Sequence, residues 1–120
     1  MERVNHRAEG ERYEQLAGRF LESRGYRILE YHFRCRFAEI DIVARDGEYL
    51  VFCEVKFRSN AGAAETLAAV DPRKQQRISR AALFYLTKHG LTDQPCRFDV
   101  IGISGKEFTL CKNAFEYQGV

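Results

Sequence analysis

Polar and apolar positions along the chain change period several times, and each change marks an element. From about Ala8 to Arg24, Tyr13, Leu16, Ala17, Phe20 and Leu21 recur at the three- and four-residue spacing of one helical stripe, and Gly25 supplies its stop. At roughly 100° per residue, Glu14 falls at the margin of that stripe near Ala17 and Leu21, whereas Glu11 and Glu22 project away. Glu14 is therefore the helical acid expected to face inward. Tyr26 to Phe33 reads as a strand. Glu39-Ile40-Asp41-Ile42-Val43-Ala44 follows with acid and apolar residues alternating, which predicts Glu39 and Asp41 on one face and a greasy face opposite. The run Glu48 to Phe57 is nearly continuously apolar until Glu54, and Glu54 and Lys56, two apart, point the same way. Between these two runs lies Arg45-Asp46-Gly47-Glu48, a strong hairpin signal, so they are expected to pair antiparallel and complete a three-stranded meander.

Beyond Arg58 the small residues Ser59 to Ala64 read as a flexible loop, and Glu65 to Val70 as a short helical turn. A second long helix opens with Asp71 as N-cap and Pro72 at its first position, runs to about His89 before Gly90, and buries Ile78, Ala82, Tyr85 and Leu86. Arg97 to Ile103 is a fourth strand, parallel to a strand of the meander because a long helix precedes it. Phe108 to Cys111 is a short fifth, and Ala114-Phe115 a terminal apolar anchor. The class is α/β, a mixed central sheet flanked by helices.

At 120 residues, 45% hydrophobic and 30% charged, the chain has the size and composition of a single folded domain spanning residues 1–120. No apolar run approaches the ~20 residues of a membrane helix. Met1 to Arg7 lacks a signal-peptide segment, so a cytoplasmic protein without membrane contact is expected. Cys35, Cys53, Cys96 and Cys111 are scattered without a Cys-x-x-Cys pair, which points to core fillers at Cys53 and Cys96 rather than a zinc site or disulfide framework. His6, His32 and His89 show no metal-ligand spacing and are expected at surfaces or strand edges.

The candidate chemistry lies in the spacing Asp41-x12-Glu54-x-Lys56 on adjoining strands. Two converging carboxylates offer hard oxygen ligands for Mg²⁺ or Mn²⁺, and a lysine beside them can orient water or neutralise charge on a phosphate. On spacing alone, Glu54 and Lys56 equally suit an exposed ion pair. The apolar surroundings Leu50 to Val55 argue against exposure, because buried charge is costly unless it binds something. Net charge is only +2, yet Lys56 to Arg80 holds six basic residues against two acidic ones. Arg58, Arg73, Lys74 and Arg77 are thus candidate phosphate contacts, although a solvated helix face would look similar. Gln75 lies on the side of Ile78 and Ala82 and is a further candidate contact. Glu39 and Asp99 are second-rank acids for which ion pairing, Asp99 with Arg97, is expected ahead of catalysis.

The order helix, three strands, helix, strand, with acids on the second and third strands and lysine after glutamate, resembles the restriction-endonuclease-like superfamily and its PD-(D/E)XK motif. Almost the whole chain further resembles the YraN-like family of bacterial proteins, through Gly10, Glu14, Phe20-Leu21, Gly25-Tyr26, Glu39-Ile40-Asp41, Val51 to Lys56, Pro72-Arg73-Lys74-Gln75, Arg97 to Val100 and Ala114-Phe115. The resemblance implies a nuclease-like domain in which Asp41 and Glu54 bind metal and Lys56 is the catalytic cation. It makes Glu14 the helix-borne acid that Holliday-junction-resolvase-like nucleases also carry. It implies a nucleic-acid partner, DNA foremost, and homodimers. Tyr13 and Ala38 stand where the family usually has glycine, which would narrow the approach of a phosphate backbone. The expectation is an Mg²⁺- or Mn²⁺-dependent phosphodiesterase. Its alternatives are a non-catalytic nucleic-acid- or protein-binding scaffold of the same fold, and a purely structural metal on Asp41 and Glu54.

Overall fold

Both long helices stop where glycine allows the chain to turn left-handed. The computed structural model describes residues 6–57 and 62–119, with side chains from residue 8 onward. Helix α1 (His6–Ser23) ends with Gly25 at φ 91°, Gly25 N–H donating to Glu22 O and Tyr26 N–H to Leu21 O. Helix α3 (Pro72–His89) repeats the device at Gly90, with Leu91 N–H donating to Leu86 O. At its other end the Asp71 carboxylate accepts from Lys74 N–H at 2.9 Å, the N-cap the sequence predicts.

Strands β1 (Arg27–Arg34), β2 (Glu39–Asp46), β3 (Tyr49–Phe57), β4 (Cys96–Ser104) and β5 (Glu107–Phe115) form one sheet in sequence order. All neighbours are antiparallel except β3 and β4, which are parallel. The short helix α2 (Ala63–Ala68) starts two residues before the predicted turn. The last strand is longer than predicted and takes in Ala114-Phe115, whose Phe115 ring stacks on Phe98 with centroids 4.7 Å apart.

The sheet separates two apolar layers. On one side Ile78, Ala82, Tyr85 and Leu86 of α3 cover Val43, Phe52, Phe98 and Val100; on the other, Ala17 and Leu21 of α1 cover Ile42, Val51, Ile101 and Ile103. Each large aliphatic buried in this way stabilises the fold by about 1.5–3 kcal/mol. Helix α2 lies on the α3 side, and a Cβ on Gly102 would run into the Thr66 side chain.

One feature departs from the predicted alternation and positions the site. Period two would keep Tyr31 with Phe33, and Ile40 with Ile42, on common faces. Instead Tyr31 and Ile42 pack on the α1 side, while Phe33 and Ile40 pack on the α3 side. Tyr31 pairs with Ile42 and Phe33 with Ile40, so both strands change layer together at the residues between them, His32 and Asp41. His32 makes the change possible by adopting φ 58°, which costs a non-glycine residue about 1 kcal/mol or more.

Candidate functional site

The antiparallel pairing of β2 with β3 runs from Asp46↔Tyr49 at the hairpin to Ile42↔Cys53. Past that pair, a side chain takes over from the main chain, and Val55 N–H donates to Asp41 Oδ2 at 2.7 Å. The strand ends splay around Asp41, which lines a cavity on each side. Toward α3 lies an open cleft of about 600 Å³ with Glu39, Asp41, Glu54 and Lys56 on the sheet and Arg73, Lys74 and Arg77 on the helix. Toward α1 lies a smaller one of about 290 Å³, lined by Gly10, Tyr13, Glu14, His32, Asp41 and Phe57 among others.

Glu54 is buried, with 6% of its surface exposed, as its apolar strand predicts. Its charge is met by two lysines through the same oxygen: Lys56 Nζ lies 3.2 Å and Lys74 Nζ 2.8 Å from Oε1. Glu54 and Lys56 thus form an ion pair, but a buried one. Burial, together with the neighbouring Lys74, lowers the pKa of Lys56 against the pull of Glu54. For Lys74 burial works the same way but is outweighed by Glu54, and its pKa is raised. Of two ammoniums on one carboxylate oxygen, Lys56 is the one that yields a proton more readily. Asp41 is pushed the other way, up to about 8, first by burial and then by the charges of Glu54 and Glu14, against the Val55 hydrogen bond. A carboxyl raised in this fashion by neighbouring acids is suited to a cation, which would relieve the repulsion on it.

Glu14 faces inward from α1, as its place on the helical wheel predicts, and only 7% of it is exposed. It meets His32, whose Nδ1 lies 2.9 and 3.3 Å from its two carboxylate oxygens. Ligand atoms of Glu14, His32 and Asp41 all lie within 4.8 Å of one another. His32 is on the edge strand, as predicted, yet it is a site residue that spacing could not reveal. Its flanking Tyr31 and Phe33 make it look like one polar position in an ordinary strand.

The other candidates divide. Arg73, Lys74 and Arg77 line the cleft. Gln75 instead donates from Nε2 to Val70 O at 3.0 Å, tying α3 to the end of α2. Arg58 and the adjoining Ser59 to Ala61 lie outside the described residues. Glu39 pairs with Arg34 at 3.3 Å and with His32 Nε2 at 3.3 Å. Asp99, fully buried, accepts from Arg97 Nε at 2.9 Å, Tyr26 Oη at 2.7 Å and Asn113 N–H at 2.9 Å. The predicted Arg97 pair is therefore the centre of a polar network, and it fastens β4 to β5 and to the start of β1. Tyr13 stacks on Phe57 at 4.4 Å and forms a wall of the smaller cavity, whereas Ala38 lines the larger.

The model of the uncharacterised protein family UPF0102 matches residues 13–103. The chain belongs to that family. A UPF0102 protein of Syntrophus aciditrophicus is 50% identical over 107 residues, 86% of this chain and 84% of the relative. One of Lachnoclostridium phytofermentans is 44% identical over 117 residues, 97% of this chain and 99% of the relative. A third, from Geobacter sulfurreducens, is 54% identical over 95 residues, covering 79% and 74% of the two chains. The UPF0102 match takes in Glu14, His32, Asp41, Glu54, Lys56, Lys74 and Arg77, so the larger cleft lies within the family's part of the chain, as does the smaller cavity apart from Gly10 and Glu11. Among the described residues no helix is long and apolar enough to cross a membrane.

Proposed function

We propose that this UPF0102 protein is a metal-dependent nuclease of restriction-endonuclease-like fold, hydrolysing phosphodiesters in nucleic acid, DNA foremost. The observation that carries this reading is the convergence of Asp41, Glu54 and Lys56 with Arg73, Lys74 and Arg77 in one cleft of about 600 Å³. The carboxylates face the basic residues across it. The arginines suit bidentate contact with phosphate, and they come from the first turns of α3, where the helix dipole also favours anions. Asp41 and Glu54 would hold Mg²⁺ or Mn²⁺, whose chemistry there is to polarise the phosphodiester and lower the pKa of a bound water. Lys56, an ammonium 3.2 Å from Glu54, can orient that water and neutralise charge gathering on the phosphate.

The double lysine pairing of Glu54 favours a second reading. A carboxylate already neutralised needs no metal, and a cleft in which Arg73 and Arg77 have no ion-pair partner among the described residues suits a non-catalytic nucleic-acid-binding scaffold. The two readings separate when the wild type, Asp41→Asn and Glu54→Gln are assayed with Mg²⁺ and Mn²⁺ against single-stranded, duplex, flap and four-way DNA and RNA. A nuclease cleaves at least one substrate, and folded variants do not. Tight binding by the wild type without cleavage of any substrate overturns catalysis and leaves the scaffold.

A further inference from the structure

We propose that Glu14, His32 and Asp41 form a cation site distinct from the Asp41 and Glu54 pair, and that its imidazole selects first-row transition ions such as Mn²⁺ or Zn²⁺ over Mg²⁺. The three side chains come from α1, β1 and β2, and one ligand atom from each lies within 4.8 Å of the others. Ligands around a tetrahedral Zn²⁺ at ~2.1 Å stand roughly 3.4 Å apart, so the widest pair has to close by little more than about 1 Å. The His32 Nδ1 to Glu14 Oε1 separation is already 2.9 Å. Mg²⁺ prefers oxygen ligands and water, whereas imidazole nitrogen suits Zn²⁺ and its neighbours, and Mn²⁺, though at home among oxygens, accepts it more readily than Mg²⁺.

The far side of the imidazole is also furnished. His32 Nε2 lies 2.8 Å from Arg34 Nη2 and 3.3 Å from Glu39 Oε2. The two neighbours serve the two neutral tautomers. With a proton on Nδ1, the ring donates to Glu14 and accepts from Arg34. With the proton on Nε2, the ring faces the Glu39 carboxylate at 3.3 Å and turns the Nδ1 lone pair toward Glu14 and Asp41. The second arrangement leaves a carboxylate behind the imidazole, the kind of neighbour that orients ligating histidines. The site opens onto the cavity of about 290 Å³ beside Gly10 and Tyr13, which leaves room for water to complete the coordination. The left-handed backbone of His32 carries the ring to the place where the β1–β2 ribbon changes layer, opposite Asp41. The inference stands apart from phosphodiester cleavage, because it concerns which ion binds and where.

The test is calorimetric titration of the chelator-stripped 120-residue protein with Mn²⁺, Zn²⁺ and Mg²⁺, with the visible spectrum of bound Co²⁺ reporting nitrogen coordination. Asparagine tolerates φ above zero, so His32→Asn removes the ligand while keeping the turn. Expected is a transition-ion site in the wild type that weakens about tenfold or more in His32→Asn and is lost in Glu14→Gln, with Mg²⁺ affinity unchanged in His32→Asn. Glu54→Gln should retain it. Failure of the wild type to bind Mn²⁺ or Zn²⁺, an equal Mn²⁺ to Mg²⁺ preference in wild type and His32→Asn, or loss of the site in Glu54→Gln with retention in Glu14→Gln overturns the proposal. Cleavage with Mg²⁺ in the His32→Asn protein would leave the nuclease reading standing even then.

Discussion

Replacing Asp41 by asparagine should make the metal-free protein more stable, and increasingly so as pH rises. In the folded chain burial, then the charges of Glu54 and Glu14, push this carboxyl up to about 8. In the unfolded chain it titrates near ~3.9. A group that holds its proton more tightly when folded costs nothing below its unfolded value. It destabilises progressively as pH climbs from there to about 8, and by a constant amount above that. About three pH units separate ~3.9 from neutrality, and each is worth about 1.4 kcal/mol, so the ceiling at pH 7 is roughly 4 kcal/mol. Rearrangement and water entry around an ionised Asp41 leave about half of that. Asparagine carries no such proton, and its amide oxygen can still accept from Val55 N–H, which Asp41 engages at 2.7 Å. Urea unfolding with chelator present at pH 5, 6, 7 and 8 should show Asp41→Asn ahead by about 2 kcal/mol at pH 7 and by under about 1 kcal/mol at pH 5, with equal slopes. A gap that stays flat with pH, or a variant less stable than the wild type at pH 8, refutes the reasoning.

Three further outcomes are expected. Glu54→Gln takes away the charge shared by Lys56 and Lys74, so folded variant should bind nucleic acid at least as tightly as the wild type in a fluorescence-anisotropy titration, while losing about 100-fold or more in cleavage rate. Arg73→Ala and Arg77→Ala should each weaken that binding across sequences and lower the slope of log affinity against log salt by about 1. Asp99→Ala leaves Arg97 without its buried partner and strips acceptors from Tyr26 and Asn113, so urea unfolding should register a loss of about 3–5 kcal/mol, with metal affinity unchanged in the protein that remains folded.

Much of this protein is written in short stretches of sequence. Gly25 and Gly90 end helices because they alone accept the left-handed turn without strain; Asp46-Gly47 closes a hairpin, and Asp71-Pro72 opens α3, since caps and turns are satisfied within a few residues. The same local rules put Glu14 on the inner face of α1, and they bring Asp41, Glu54 and Lys56 into one cleft because neighbouring strands must pair in register. Tertiary structure decided the rest. Lys74 meets Glu54 only because α3 folds back over the end of β3, 20 residues from it in sequence but 2.8 Å away in space. Asp99 becomes a network centre when β5 and the start of β1 converge on it. His32 reaches Glu14 and stands opposite Asp41 through a single backbone angle that hydrophobic periodicity does not encode, since a strand that changes layer and one that does not can carry the same alternation. Contacts satisfied within a turn leave a sequence signature, whereas contacts between distant elements depend on where the whole sheet and its helices come to rest.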